Sequence, residues 1–385
     1  MPPNMKRYGY GHQSISEADI NIVVKAMRSE FLTQGPLVAK FEEALCQYTG
    51  AKYAVVVANG TVALHLAMLV LEIEPNDEVI TSPNTFLASA NCVVYANGKP
   101  KFADIDSATA NIDPKNIEKQ ITQKTKAIIP VHFAGQSCDM QAIQNIAKKY
   151  NLKIIEDAAH AIGSNYKNTK VGSCKYSDLT TFSFHPVKTI TTGEGGAIMT
   201  NDKNLYEKLL MLRSHGMTKN PKRLHKNDGQ WYYEMQLLGY NGRLTDIQSA
   251  LGISQLKRID QFKSKRRKIV ETYKTLLGND ERFSFLKEKL YSDACFHLCP
   301  LLVNFGVVKK TKREIFVELS SHGINLQVHY IPVHTQPFYK NYGYKLGDFP
   351  LSEEYYKKTM SLPLYTDLTQ CDIKYITKII QNIVK

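Results

Sequence analysis

Between residues 53 and 200 the chain switches repeatedly between two hydrophobic periods, and this alternation leaves few folds open. Short apolar runs at Tyr53–Val57, Asp77–Thr81, Lys101–Asp104, Lys126–Val131, Leu152–Glu156, Leu179–Phe184 and Ala197–Thr200 read as strands. The stretches Asn59–Leu71, Ala88–Ala96, Pro114–Ile121, Met140–Tyr150 and 203–213 read as helices. Strands that alternate with helices build a mostly parallel sheet with helices on both faces, an α/β fold. Its crossovers are right-handed, and ligands gather at the carboxyl ends of its strands.

Residues with chemical potential sit at those ends. Gly60 and Thr61 follow the first strand and open a helix, where free N–H groups and the helix dipole favour a phosphate. Phe86 closes a Ser-Pro-Asn-Thr-Phe turn after the second. Asp157 and His160 follow the run at 152–156; Ser183 lies near the end of the run at 179–184, His185 and Lys188 follow it, and the glycines Gly193, Gly195 and Gly196 come directly after. Each has a bland explanation: a surface lysine, a helix-capping Asp, a tight-turn glycine, a core aromatic, a satisfied core histidine. Their order is far more specific than any one of them, with Ser183 five residues before Lys188 (188 − 183). A carboxylate at one strand end and a lysine after the next suit pyridoxal phosphate (PLP). Its aldehyde condenses with an amine, and its ring nitrogen must be held protonated by a carboxylate.

The chain has 385 residues, enough for a large unit and a smaller one. The first 35 residues hold a helix at Ser16–Ser29, capped by Ser14 or Ser16, and a loop at Glu30–Gly35; a second helix spans Leu37–Tyr48. Residues 218–230 read as a polar loop. One long helix from Thr245 to about Leu277 is expected to link the units. A strand at Ala294–Val303, helices at Thr311–Ser321 and Asp372–Val384, and a strand over 323–330 that enters a loop suggest a C-terminal α+β unit. The expected division is an N-terminal segment packed on the site (1–35), a large α/β unit (36–250), and a linker helix with the small unit (251–385).

Net charge is +13 and pI about 9.2, which fits either nucleic acid or an anionic small substrate. The basic run Lys257–Lys268 carries Leu256, Ile259, Phe262 and Ile269 at helical spacing, so it reads as a solvated helix face. No nucleic-acid motif accompanies it, and no nucleic-acid partner is expected. No apolar run reaches the about 18–20 residues needed to span a bilayer, so no membrane association is expected. The start, MPPNMKRYGYGHQS, has no apolar signal core, and the seven scattered cysteines form no CxxC pair. These point to a cytoplasmic protein with reduced thiols. His329 and His334 lack a third ligand at sensible spacing, so no metal is expected.

The segments EDAAHAIGS, TFSFHPVKTITTGEGG and GYNGRLTDIQSALGISQLKR, with GYGHQSISEADI, LTQGPLVAKFEEAL and QVHYIPVH, resemble the DegT family of PLP-dependent sugar aminotransferases over nearly the whole chain. The similarity is nearest to the PseC-type branch of pseudaminic acid biosynthesis. The resemblance implies the aspartate aminotransferase-like fold type I. It makes Lys188 the catalytic residue, and Gly60, Thr61, Phe86, Asp157, His160, Ser183 and Asn241 cofactor ligands. Asn241 would reach the cofactor of a neighbouring subunit, which implies a homodimer with shared active sites. Tyr10, Glu30, Phe31, Leu32 and Thr33, with Gln327, Val328, His329 and Tyr330, would join Gly60, Ser183 and Asn241 around the substrate. Two positions depart from the common pattern: Gly242 replaces an aromatic residue, and His160 stands where many members carry Gln.

The implied reaction moves an amino group from L-glutamate to carbon 4 of a UDP-linked 4-keto-6-deoxy-N-acetylhexosamine (UDP-2-acetamido-2,6-dideoxy-beta-L-arabino-hex-4-ulose). Alternatives are another UDP-, dTDP- or GDP-linked 4-keto-6-deoxy sugar with a viosamine- or perosamine-type product, or a PLP-binding regulator. Dehydratase relatives replace the lysine, commonly by His, and this chain keeps Lys188.

Overall fold

The computed structural model describes residues 6–385, so the first five residues of the N-terminal segment lie outside the described residues. Seven strands form the central sheet: β1 (Tyr53–Val57), β2 (Glu78–Thr81), β3 (Lys99–Phe102), β4 (Thr125–Ile129), β5 (Lys153–Asp157), β6 (Leu179–Ser183) and β7 (Gly196–Thr200). Their spatial order is β3-β2-β4-β5-β6-β7-β1. All neighbours are parallel except β7, which runs antiparallel to both β1 and β6. The reversal has a local cause. Residues 184–195 form no helix and fold back on themselves, with the Phe184 N–H donating to the Gly195 carbonyl and that of Thr192 to the Phe184 carbonyl. A connection of this kind returns the chain antiparallel, whereas a parallel neighbour needs a helical crossover.

Successive strand residues face opposite sides, and both sides are covered. Val55 and Val57 pack with Ile155, Leu179 and Ile198 beneath α3 (Gly60–Val70), α4 (Ala88–Tyr95) and α7 (Lys203–Leu212). Ala54, Val56, Phe182 and Met199 pack on the other side against Phe41 and Leu45 of α2 (Pro36–Thr49). Ile80, Ile128 and Ile154 meet α5 (Pro114–Gln120) and α6 (Met140–Tyr150) on that side too. Burying each of these aliphatic side chains is worth about 1.5–3 kcal/mol.

A second core gathers Tyr273, Leu301, Ile315, Leu319, Met360, Ile376 and Ile380. Its antiparallel sheet pairs Phe283–Phe285 and Thr359–Leu362 with Cys299–Val303. The N-terminal chain reaches into this core. Tyr8–Gly9 pairs in parallel with Ile324–Asn325, and the Tyr8 hydroxyl donates to Asp372 at 2.9 Å. α1 (Glu17–Met27) starts at Ser16, whose hydroxyl and backbone N–H form a reciprocal capping box with Asp19.

Three elements differ from the sequence expectation. The long linking helix is broken into α8 (Asp246–Leu256) and α9 (Ile259–Leu277). At the break, Arg258 turns its guanidinium back to the fully buried Asp19 and to the Ser14 carbonyl, at 3.2 Å from the latter. The strand at 294–303 shortens to Cys299–Val303. Its first residues are claimed by the loops after β5 and β4: the Cys295 N–H donates to Ser164 Oγ and that of His297 to the Ala134 carbonyl. The strand over 323–330 keeps only Ile324–Asn325, because the Tyr330 N–H turns to Asn84 Oδ1.

α2 begins at Gly35, which has no side chain to cap it. Asp246, fully buried at the first turn of α8, does that work from a distance, accepting the Gly35 N–H at 2.7 Å and the Leu37 N–H at 2.9 Å. Asp246→Ala is expected to cost about 2–3 kcal/mol, as for hydrogen bonds to a charged acceptor. Urea denaturation checks this; an unmoved midpoint would show that α2 is held by packing alone.

Candidate active site

A cavity of about 660 Å³ opens at the carboxyl ends of β1, β2, β5 and β6. At β1, Asn59 caps α3 by accepting the Val62 N–H at 2.9 Å. The N–H groups of Gly60 and Thr61, both on the cavity wall, have no partner within the helix. Two glycines let this helix start approach β6. A Cβ on Gly60 would lie 2.9 Å from Ser183 Cβ, and one on Gly196 would lie 2.6 Å from the Asn59 backbone. The result is a cradle of two backbone donors and the Ser183 hydroxyl, open where side chains would otherwise fill it. This donor set fits a phosphate.

Asp157, at the end of β5, is only 5% exposed. Oδ2 accepts the Ser89 hydroxyl at 2.6 Å and Oδ1 accepts the Ala159 N–H at 3.1 Å. Lys188 faces the same cavity from the loop after β6. Burial lowers its pKa to about 8, against the opposing attraction of Asp157. Phe86, more than half exposed, presents its ring at the cavity wall, with Tyr330 at 6.2 Å between centroids.

Three histidines cluster behind the lysine. His160 Nε2 lies 3.0 Å from the Tyr330 hydroxyl, while its Nδ1 is buried without a partner. The His297 ring packs 4.4 Å from that of His160. His329 Nδ1 lies 2.8 Å from Ser361 Oγ. Burial, reinforced by the Lys188 charge, pushes all three down, His329 to about 3 and the other two well below the usual histidine range. Burial thus favours the neutral form of all three rings.

The structure brings Tyr10, Gly60, Thr61, Phe86, Asp157 and His160 into one cavity. Ser183, Lys188, Gln327, Val328, His329 and Tyr330 complete its wall. It does not bring Glu30, Phe31, Leu32, Thr33 or Asn241 there. All five are exposed outside this chain's own cavity, with Thr33 bridged to Thr245 and Asn241 to Ser214. Sequence reasoning missed Asn59, Ser89 and His297. Asn59 carried a signal, since Asn before an apolar helix is a preferred cap. Ser89 lies three residues after Phe86, which a helical reading could have placed near the strand end. His297 has no local signal. Among the described residues, no three His, Cys, Asp or Glu side chains come together as a metal cluster, and no helix is long and apolar enough to cross a membrane.

Residues 13–381 match the DegT/DnrJ/EryC1/StrS aminotransferase family. The chain is 43% identical over 372 residues to the UDP-4-amino-4,6-dideoxy-N-acetyl-beta-L-altrosamine transaminase of Campylobacter jejuni, covering 95% of each. It is 36% identical to the GDP-perosamine synthase of Caulobacter vibrioides, covering 91% of each. Among solved structures, Helicobacter pylori PseC superposes with a TM-score of 0.91 at 34% identity, covering 98% of this chain and 99% of that one. The PLP form of the putative sugar aminotransferase Spr1654 of Streptococcus pneumoniae gives 0.90 at 31%, covering 99% and 100%. The fold and cavity define a PLP-dependent aminotransferase of fold type I. The chain belongs to the DegT/DnrJ/EryC1/StrS family.

The depressed basicity of Lys188 is directly measurable. In cofactor-free protein, acylation of Lys188 followed by peptide mass spectrometry should rise with pH around a midpoint near 8 rather than 10.5. Asp157 opposes the shift, so Asp157→Asn should lower the midpoint further. A midpoint near 10.5 would mean the amine is solvated like an ordinary lysine.

Proposed function

We propose that this enzyme transfers an amino group from L-glutamate to the carbon-4 ketone of a UDP-linked 4-keto-6-deoxy-N-acetylhexosamine. The observation that carries aminotransfer is the meeting of the Lys188 amine, the buried Asp157 carboxylate and the Gly60–Ser183 cradle in one cavity. The choice of sugar is supported by the transaminase relative at 43% identity.

PLP, when bound, supplies an electron-accepting ring that stabilises charge on a carbon losing its proton. Gly60 and Thr61 N–H groups and the Ser183 hydroxyl bind its phosphate. Phe86, on the cavity wall, would cover one face of the ring and keep water from it. Asp157 holds the proton on the ring nitrogen. His160, neutral and with one nitrogen engaged by Tyr330, is offered to the ring's phenolic oxygen. The Nζ of Lys188 would hold the cofactor and, as a free amine, would move the proton of the glutamate α-carbon. A basicity near 8 suits an amine that must both accept and release a proton near neutral pH. Tyr10, Gln327, Val328, His329 and Tyr330 form the sugar side.

Glu30 to Thr33 and Asn241 serve the cavity of a neighbouring subunit in a cytoplasmic homodimer. Their exposure outside this chain's own cavity supports that reading. A GDP-linked 4-keto-6-deoxy sugar is the second reading, favoured by the perosamine synthase relative.

The purified enzyme, PLP and glutamate should convert one member of a panel of UDP-, dTDP- and GDP-linked 4-keto sugars to a 4-amino sugar identified by NMR. The UDP-N-acetyl substrate is expected to react fastest; faster turnover of a GDP sugar would select the second reading. Lys188→Ala should lower turnover at least about 10³-fold. Two inactive variants, Lys188→Ala and Asn241→Asp, should regain activity when mixed and allowed to exchange subunits. A mixture that stays inactive after exchange would place both residues in one subunit's site.

A further inference from the structure

Behind the Asp157 carboxylate lies a hydroxyl chain that the reaction as described does not use. Ser89, fully buried on α4, sits 2.6 Å from Asp157 Oδ2, and Thr85 Oγ1 sits 2.7 Å from Ser89 Oγ. An ionised carboxylate only accepts, so the single Ser89 proton goes to Asp157. Ser89 can then only accept from Thr85, and the order Thr85 to Ser89 to Asp157 is set. Each donor polarises the next, and the last bond is charge-assisted. The second carboxylate oxygen is held by the Ala159 N–H at 3.1 Å. Both oxygens of Asp157 are therefore tied from the protein side, on a residue that is almost fully buried.

We infer that Ser89, backed by Thr85, is a positioning residue that keeps the Asp157 carboxylate aimed at the cofactor's ring nitrogen. This rests on the reading of Asp157 proposed above. Two hydrogen-bonding neighbours give the same carboxylate two different jobs. The Ser89 hydroxyl fixes where Oδ2 lies, so the carboxylate stays in line to hold the ring proton. The Ala159 N–H limits rotation of the group. α4 also begins two residues after Phe86, so one short helix sets both the ring-facing aromatic and the support of the carboxylate. A change at Ser89 is therefore a change in where a proton rests, with the cavity wall left intact.

The test uses PLP labelled with ¹⁵N in the ring, bound to the full-length enzyme. In the native protein the ring nitrogen resonance should lie at the pyridinium position. In Ser89→Ala it should move toward the unprotonated position at the same pH, with kcat about 10- to 100-fold lower, the size expected for loss of one charge-assisted hydrogen bond. Thr85→Val, which leaves Ser89 in place, should shift the resonance in the same direction by less, and it carries the test if Ser89→Ala does not fold. A ring resonance unmoved in the folded variants would overturn the inference. Asp157→Asn run alongside separates two failures. If it keeps native turnover, the reading of Asp157 itself falls. If it loses turnover while Ser89→Ala keeps both turnover and resonance, only the role of Ser89 falls.

Discussion

The site depends on one close contact between backbones. β7 returns antiparallel between β1 and β6, and its first residue, Gly196, is in register with Val57 on one side and Ser183 on the other. With no side chain at Gly196 or Gly60, the start of α3 settles against the end of β6. β5 lies on the far side of β6, with Asp157 opposite Thr181. Any side chain at either glycine would push the anion cradle away from the lysine loop. The sheet order is thus a device for bringing three separately coded strand ends within reach of one small molecule.

Electrostatics then divides the cavity. One anion, Asp157, is buried and hydrogen-bonded. One cation, Lys188, is poised to lose its charge near neutral pH because burial outweighs its attraction to that anion. Around them stand three imidazoles that burial keeps uncharged. Neutral histidines let the chain place donors and acceptors near a bound phosphorylated ligand without adding positive charge that would further depress the lysine. The overall charge of +13 is spread elsewhere: among the described residues, Lys188 is the only lysine or arginine on the cavity wall.

Much of this was legible in the sequence because it is local. Most strands of the sheet are apolar runs, and each chemical residue lies at or soon after the end of one, so the order of Gly60, Phe86, Asp157, Ser183 and Lys188 already traced the cavity. What was not legible is what distant residues impose. The linking helix breaks because Arg258 finds a carboxylate 239 positions away. The strand before Cys299 is cut short because Ser164 and Ala134 capture its backbone. His297 reaches His160 for the same reason, and nothing around it in the chain announces the fact. The exposed placement of Glu30 to Thr33 was equally hidden, whereas for Asn241 the family resemblance already pointed to a neighbouring subunit.

The pairing of Tyr8–Gly9 with Ile324–Asn325 and the bond from Tyr8 to Asp372 bear on how the chain is made. Tyr10, one residue beyond that pair, forms part of the cavity wall. The partners of this segment are made long after it, 364 residues after Tyr8 in the case of Asp372. At about 5–20 residues per second, Tyr8 waits roughly 20–70 s for that partner. The large sheet can form in that interval, but the cavity wall at Tyr10 is not anchored until those later residues have been made.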